Sequence, residues 1–308
     1  VKKNILTLAE LSTLEAEAII DLAIAMKKAD RLTYRETCSG YAAALIFEKP
    51  STRTRVSLER ALDGIGARGV VLNARELQLS RGEDLADTAR VLSRYVDAIV
   101  ARVFAHESLV ELARHATVPV VNALSDFAHP LQALADVMTI LERRGSLSGI
   151  KLAYLGDGNN VCHSLIIAAA LFGFEMVAAT PRSHQPRAEV VREAERIARS
   201  GFRFCWQENA REAVRGAHVI YTDTWVSMGQ EAEKDERIKL FMPYQVNGSI
   251  MAEADSSAIF MHCLPAHKGL EVTEDVFESE RSVVFDQAEN RLHTAKAVFA
   301  YLWKGVRL

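Results

Sequence analysis

Cysteine is scarce in this chain and scattered: Cys38, Cys162, Cys205 and Cys263 are the only four in 308 residues. No C-x-x-C pair occurs, which excludes a disulfide scaffold and a compact structural zinc site. That usage fits a reducing, cytoplasmic compartment. With 7 prolines and 16 glycines, the chain is neither collagen-like nor built on low-complexity linkers. Neither sign of charge dominates, since 37 Lys and Arg face 40 Asp and Glu for a net charge of −3. A global basic footprint for nucleic acid is therefore missing, although a local cationic pocket is compatible with this balance. No apolar run approaches the ~20 residues of a membrane span. The opening Val1-Lys2-Lys3-Asn4 leads into an amphipathic stretch and predicts no secretory signal.

What is present is the composition of a soluble globular protein, 49% hydrophobic and 25% charged. At roughly 150 residues per domain the length suggests two domains, each able to bury a core. Short runs rich in Val, Ile and Phe predict strands at Ala43–Phe47, Ala98–Val103 and Val118–Asn122 in the first half. In the second half they fall at Lys151–Leu155, Met176–Thr180, Phe202–Trp206, His218–Thr222, Ala258–His262 and Ser282–Phe285. Between them lie helical patterns such as the stripes Leu58, Leu62, Ile65 and Leu134, Val137, Met138, Leu141. Strand and helix in alternation point to an α/β protein with parallel sheets. Gly145 and Gly149 bracket a helix stop and a short connector, which places a domain boundary between 1–145 and 146–285. The run from Ala288 to Trp303 predicts one long amphipathic helix.

Several strand ends carry polar residues suited to chemistry. After the first strand, Ser51-Thr52-Arg53-Thr54-Arg55 opens a helix. Unpaired N–H groups at a helix start form an anion site, and guanidinium forks bind phosphate in two places at once. Arg102 stands at the end of another strand, where parallel sheets bind ligands; a surface salt bridge is the plainer reading of that residue alone. His129 and Gln132 lie three apart across a helix start and suit a polarised carbonyl oxygen, with capping and solvation as the alternative. Gly156-Asp-Gly-Asn-Asn160 brushes the dinucleotide fingerprint, but position 161 is Val, so a nicotinamide cofactor is weakly supported. Asp157, Asn159 and Asn160 offer hydrogen bonds there instead. Asp223 suits an ammonium or a turn cap, and the Ser227-Met228-Gly229 loop follows it. Cys263, beside His262 and near His267, reads either as a small buried residue or as the nucleophile of a cysteine hydrolase. Arg291 sits near the start of the last helix.

Together these segments resemble the aspartate/ornithine carbamoyltransferase family over nearly the whole chain. S-T-R-T-R at 51–55 and H-P-x-Q at 129–132 resemble its carbamoyl-phosphate motifs; D-x-x-x-S-M-G at 223–229 and H-C-L-P at 262–265 resemble its ornithine branch. The resemblance implies two similar-sized α/β domains, with a C-terminal helix, 286–308, returning to the first. It implies carbamoyl transfer from carbamoyl phosphate to the side-chain amine of L-ornithine, giving L-citrulline and phosphate in arginine biosynthesis. Putrescine as acceptor, or a non-catalytic phosphate-binding paralogue, is the alternative. Carbamoyl phosphate would be bound by Ser51, Thr52, Arg53, Thr54, Gln78, Arg102, His129, Gln132, Cys263, Leu264 and Arg291. Ornithine would be bound by Asn160, Asp223, Ser227 and Met228. Arg53, Arg102, His129, Gln132, Asp223, Cys263 and Arg291 would be catalytic. The resemblance implies a homotrimer or an assembly of trimers, with Gln78 entering a neighbouring subunit's site. No metal or organic cofactor, no nucleic acid and no membrane partner is expected.

Overall fold

The computed structural model describes residues 2–305 apart from 75, 76, 78–81, 227, 228 and 230. Gln78, Ser227 and Met228 thus lie outside the described residues. The chain divides into two compact units, Val1–Met138 with Glu289–Leu308, and Thr139–Ala288.

The first unit contains α1 (Thr13–Lys28), β1 (Ala42–Phe47), α2 (Thr52–Gly64), β2 (Arg68–Asn73) and α3 (Leu85–Leu92). They are followed by β3 (Ala98–Arg102), α4 (His106–His115), β4 (Val120–Leu124) and most of α5 (Pro130–Arg144). The strands form one parallel sheet in the order β2-β1-β3-β4. β1 reads Ala-Ala-Ala-Leu-Ile-Phe and is buried along nearly all its length, as a parallel strand covered on both faces must be. α1 starts in a capping box, where Ser12 and Glu15 each accept a backbone N–H of the other.

The second unit contains β5 (Lys151–Leu155), α6 (Asn160–Phe172), β6 (Glu175–Ala179), α7 (Ala188–Ile197), β7 (Arg203–Gln207) and α8 (Ala210–Val214). They are followed by β8 (Val219–Thr222), α9 (Lys234–Phe241), α10 (Gly248–Glu253), β9 (Ile259–His262) and α11 (Glu274–Phe277). The second sheet is also parallel, in the order β7-β6-β5-β8-β9. α6 is buried almost all round, so its sequence shows no polar face.

The last helix, α12 (Val284–Lys304), starts in the second unit and ends in the first. Its later turns pack on the early elements, as the resemblance implied. Trp303 stacks on Tyr41 at 5.1 Å and donates to the Asp97 carbonyl at 3.1 Å. Tyr301 donates to Glu15, and Lys27 donates to Asn290 at 2.8 Å.

Three features of the chain differ from the sequence expectation. Ser282–Phe285 is not a strand: Ser282 makes one isolated bridge to Phe260, and α12 begins at Val284. Val283 and Val284 are buried where the helix begins while Phe285 is exposed, and an apolar run that short does not declare its period. β4 begins at Val120, two residues later than expected, because Pro119 has no N–H for the ladder. β2 was not expected at all. It is an edge strand with Gly69 inside it and a half-exposed pattern, so neither strong alternation nor a buried run marks it.

Candidate active site

Each sheet has one place where the chain reverses its direction of winding. In the first, β2 lies on one side of β1 and β3 on the other. In the second, β6 and β7 lie on one side of β5, and β8 and β9 on the other. Ligands of open α/β sheets bind beyond the strand ends at such switch points. The register aligns the ends there: Phe47 pairs with Arg102, Leu155 with Thr222, and Thr222 with His262. The segments beginning at Ser51, Gly156, Asp223 and Cys263 leave from these strand ends, His129 and Gln132 follow β4, and Arg291 lies within the last helix.

In the first unit, Ser51 caps α2 and its hydroxyl accepts the Thr54 N–H at 3.3 Å. Thr52 and Arg53 are exposed on the first turn, while Thr54 is buried. Buried Arg291 is the hub of this half. One of its terminal nitrogens donates to Gln132 Oε1 at 2.6 Å and lies 3.5 Å from His129 Nε2; the other donates to Thr54 Oγ1 at 3.2 Å. Arg291 comes from the second turn of α12, not from its start. Gln132 in turn donates from Nε2 to Asp136 at 2.8 Å. Arg102 is buried at the end of β3. His129 is buried too; burial, then the charges of Arg291 and Arg102, push its pKa well below the usual imidazole value. The ring is therefore neutral. A guanidinium only donates, so Nε2 faces it as an acceptor and the proton belongs on Nδ1.

Lys49, just before the Ser51 turn, was not singled out in the sequence. It is buried, its ammonium sits 4.4 Å from the centre of the Phe104 ring, and burial and then Arg102 lower its pKa. It adds a cation to this half-site. Its only sequence signal is its place beside the hydroxyl-rich turn.

In the second unit, Asp223 follows β8 and is buried. Its two oxygens accept from Asn159 Nδ2 at 2.8 Å and from the Cys263 thiol at 3.0 Å. Asn159, the N-cap of α6, uses its Oδ1 to accept from Val161, Cys162 and the Tyr154 hydroxyl. Asn160 is the first residue of that helix, and its carbonyl accepts from Ser164 at 2.8 Å. Arg237, on α9, was unmarked in the sequence because it lies in a run of charged residues. Buried, it donates to the Trp225 carbonyl at 2.6 Å and pairs with Asp157. One guanidinium thus ties the turn after β5 to the segment after β8.

The H-C-L-P segment ends β9. Leu264 has a left-handed backbone, φ 60°, unusual for a residue with a branched side chain. Its N–H donates to His262 Nδ1 at 2.8 Å, and His262 Nε2 meets buried Glu271 at 3.2 Å. Because Nδ1 accepts a backbone N–H, the ring's proton is on Nε2. A ring nitrogen of His262, an oxygen of Asp223 and the Cys263 sulfur lie within 4.8 Å of one another. As arranged they do not fit a metal ion: Nδ1 spends its lone pair on Leu264, and Nε2 carries a proton. The same bonds leave His262 no lone pair with which to activate the thiol as a nucleophile.

Comparison with known proteins assigns both halves. The carbamoyl-P binding domain of aspartate/ornithine carbamoyltransferase matches residues 3–142, and the Asp/Orn binding domain matches 148–302. A protein of Pyrococcus horikoshii named ornithine carbamoyltransferase is 57% identical over 87% of this chain and 85% of its own length. One of Thermococcus kodakarensis with the same name is 52% identical over 99% of this chain and 98% of its own. The solved ornithine carbamoyltransferase of Pyrococcus furiosus superposes with a TM-score of 0.92 at 51% identity, covering 97% and 96% of the two chains.

Proposed function

The chain belongs to the aspartate/ornithine carbamoyltransferase family, and on that premise we propose that it transfers the carbamoyl group of carbamoyl phosphate to the side-chain amine of L-ornithine. The products are L-citrulline and phosphate, and the activity serves arginine metabolism. The observation that carries this reading is the buried hub of Arg291, which gathers Thr54, His129 and Gln132 at the switch point of the first sheet.

The phosphate is held by the α2 N-terminus with Ser51, Thr52, Arg53 and Thr54, where free N–H groups and a guanidinium favour an anion. Arg102, His129 and Thr54 bind the carbonyl oxygen. When the amine attacks the carbonyl carbon that oxygen becomes an oxyanion, and fixed donors stabilise it most at that moment. Neutral His129 suits this role by donating from Nδ1–H. Gln132 Oε1 and the Leu264 carbonyl accept from the carbamoyl amine, and Arg291 assists beside them. Asp223, Asn160, Ser227 and the backbone of Met228 orient ornithine, with Asp223 and Cys263 beside the reacting amine. The tetrahedral adduct then expels phosphate and the nitrogen loses a proton. No covalent enzyme intermediate is needed, so Cys263 positions and does not attack.

On the same reading the protein works in the cytoplasm, where its four cysteines, none of them in a disulfide, stay reduced. No helix among the described residues is long and apolar enough to cross a membrane. It acts as a homotrimer or an assembly of trimers, with Gln78 reaching a neighbouring subunit's site.

The test is product formation from carbamoyl phosphate with ornithine, putrescine, aspartate, lysine and N-acetylornithine. Ornithine should be preferred by at least about a hundredfold in kcat/KM. Preference for putrescine would keep the carbamoyl half and reject the assignment of the 223–229 segment. Tight binding of carbamoyl phosphate with no product from any amine would move the protein to the binding modules.

A further inference from the structure

The amide of Gln132 is held from both ends. The residue is buried, with Oε1 accepting from Arg291 at 2.6 Å and Nε2 donating to Asp136 at 2.8 Å. A guanidinium can only donate, so the amide oxygen belongs toward Arg291 and the NH2 toward Asp136. Turning the amide over would set NH2 against NH2 at Arg291 and oxygen against oxygen at Asp136. Asp136 lies one helical turn beyond Gln132 on α5 and is itself fully buried. An acidic side chain is not placed in a protein interior without a hydrogen-bonded role. A carbonyl oxygen has two lone pairs, and Arg291 engages one of those on Oε1.

We propose that Asp136 is a positioning residue that selects the donor substrate: by holding the Gln132 amide with its oxygen toward Arg291, it presents an acceptor that a carbamoyl NH2 can satisfy and an acetyl CH3 cannot. The proposal rests on the reading of Gln132 as a partner of the carbamoyl amine. A site built to accept from an N–H rejects an analogue without one, because the acceptor is then left unpaired. Acetyl phosphate is that analogue: it keeps the phosphate, the carbonyl and nearly the size of carbamoyl phosphate. Losing Asp136 removes one end of the clamp. The amide then rotates about its last bonds, and the acceptor is no longer fixed. Phosphate recognition at the start of α2 is left alone.

The experiment is steady-state citrulline formation by the full-length enzyme, wild type, Asp136→Ala and Asp136→Asn, with acetyl phosphate and inorganic phosphate as inhibitors competing with carbamoyl phosphate. The wild type should bind acetyl phosphate at least about tenfold more weakly than carbamoyl phosphate. Asp136→Ala should shrink the ratio of the acetyl phosphate inhibition constant to the carbamoyl phosphate KM by about tenfold. Its inhibition by inorganic phosphate should stay within about twofold of the wild type, whereas general damage to the pocket weakens both inhibitors together. Asp136→Asn keeps an oxygen to accept from Gln132 Nε2 and should restore the wild-type ratio. An unchanged ratio in Asp136→Ala overturns the proposal, as does equal loss of phosphate and acetyl phosphate binding. If that variant fails to fold, the wild-type arm still decides: acetyl phosphate bound as tightly as carbamoyl phosphate means that Gln132 does not select the donor. A wild type that makes no citrulline refutes instead the functional reading on which the proposal stands.

Discussion

Histidine 129 shows how burial sets chemistry at a single residue. The ring lies inside the first unit with the guanidinium groups of Arg291 and Arg102 near it, and a further positive charge there is costly. Depressing its pKa keeps the imidazole neutral, and a neutral ring donates to a developing oxyanion without exchanging a proton with it. The same depression carries a stability consequence. Above about pH 6.5 the ring is neutral in both the native and the unfolded chain and contributes no pH dependence. As the pH falls below that value the unfolded chain takes up a proton that the native ring refuses, so stability drops. The slope approaches about 1.4 kcal/mol per pH unit for one such group. His129→Asn should therefore flatten the fall in unfolding free energy between about pH 6.5 and pH 5 relative to the wild type, as read from urea titrations. Parallel curves for the two proteins would show that the native ring protonates normally.

At the scale of the element, the start of α2 and the buried strands were legible and the edges were not. The hydroxyl-rich segment at Ser51 marks a helix start in the sequence, and Ser51 is the N-cap of α2 in the structure; Asn159, read in the sequence only as a hydrogen-bonding residue, is the N-cap of α6. β1, β3 and β5 are short apolar runs between polar turns and fell where expected. β2 escaped because an edge strand needs neither alternation nor full burial, and Ser282–Phe285 misled because an apolar run of three residues fits either period. One helix start also joins distant parts of the chain. Glu15 completes the α1 capping box, accepts from Lys3 at 2.7 Å and receives the Tyr301 hydroxyl from α12. Partial burial alone would raise its pKa, but the hydrogen bonds from Lys3, Tyr301 and Ser12 outweigh it and bring the carboxyl to about 2. Its contribution is thus complete above about pH 4.5 and is lost as the pH falls toward 2. Glu15→Gln should cost about 1.5–3 kcal/mol at neutral pH, the range for hydrogen bonds to a charged acceptor. Chemical denaturation at a series of pH values should show the deficit closing on the acid side. A deficit that persists unchanged to the lowest pH would mean that geometry, not charge, holds α12 there.

For the whole molecule, what the residues alone reveal stops at contiguous segments. Positions 51–55, 129–132 and 262–265 each announce chemistry because their members are neighbours in the chain and sit at strand or helix ends. The links among them do not. Arg291 meets Thr54 across 237 positions of sequence, and Asn159 meets Asp223 across 64. Pairing at that range is set by sheet order, and periodicity carries no information about it; Arg291 was marked by its place near the start of the last helix and given a role only by the likeness to a family, and Arg237 and Lys49 were given none. The cations gathered in the first half have a consequence for the reaction as a whole. Lys49, Arg102 and Arg291 are buried near one another, while ornithine at neutral pH carries two ammonium groups against one carboxylate. Reaction requires the ornithine amine to meet the carbonyl carbon, so these cations oppose its approach until an anion has neutralised them. Carbamoyl phosphate brings that anion and should bind first. Calorimetric titration with norvaline, which has ornithine's backbone without the terminal amine, separates the two contributions. Adding inorganic phosphate should tighten ornithine at least about fivefold more than it tightens norvaline, within the usual range of coupling between two ligands, and the difference should shrink as salt is raised. Equal tightening of both would locate the coupling in conformational ordering instead of charge, and no tightening of either would make the binding order random.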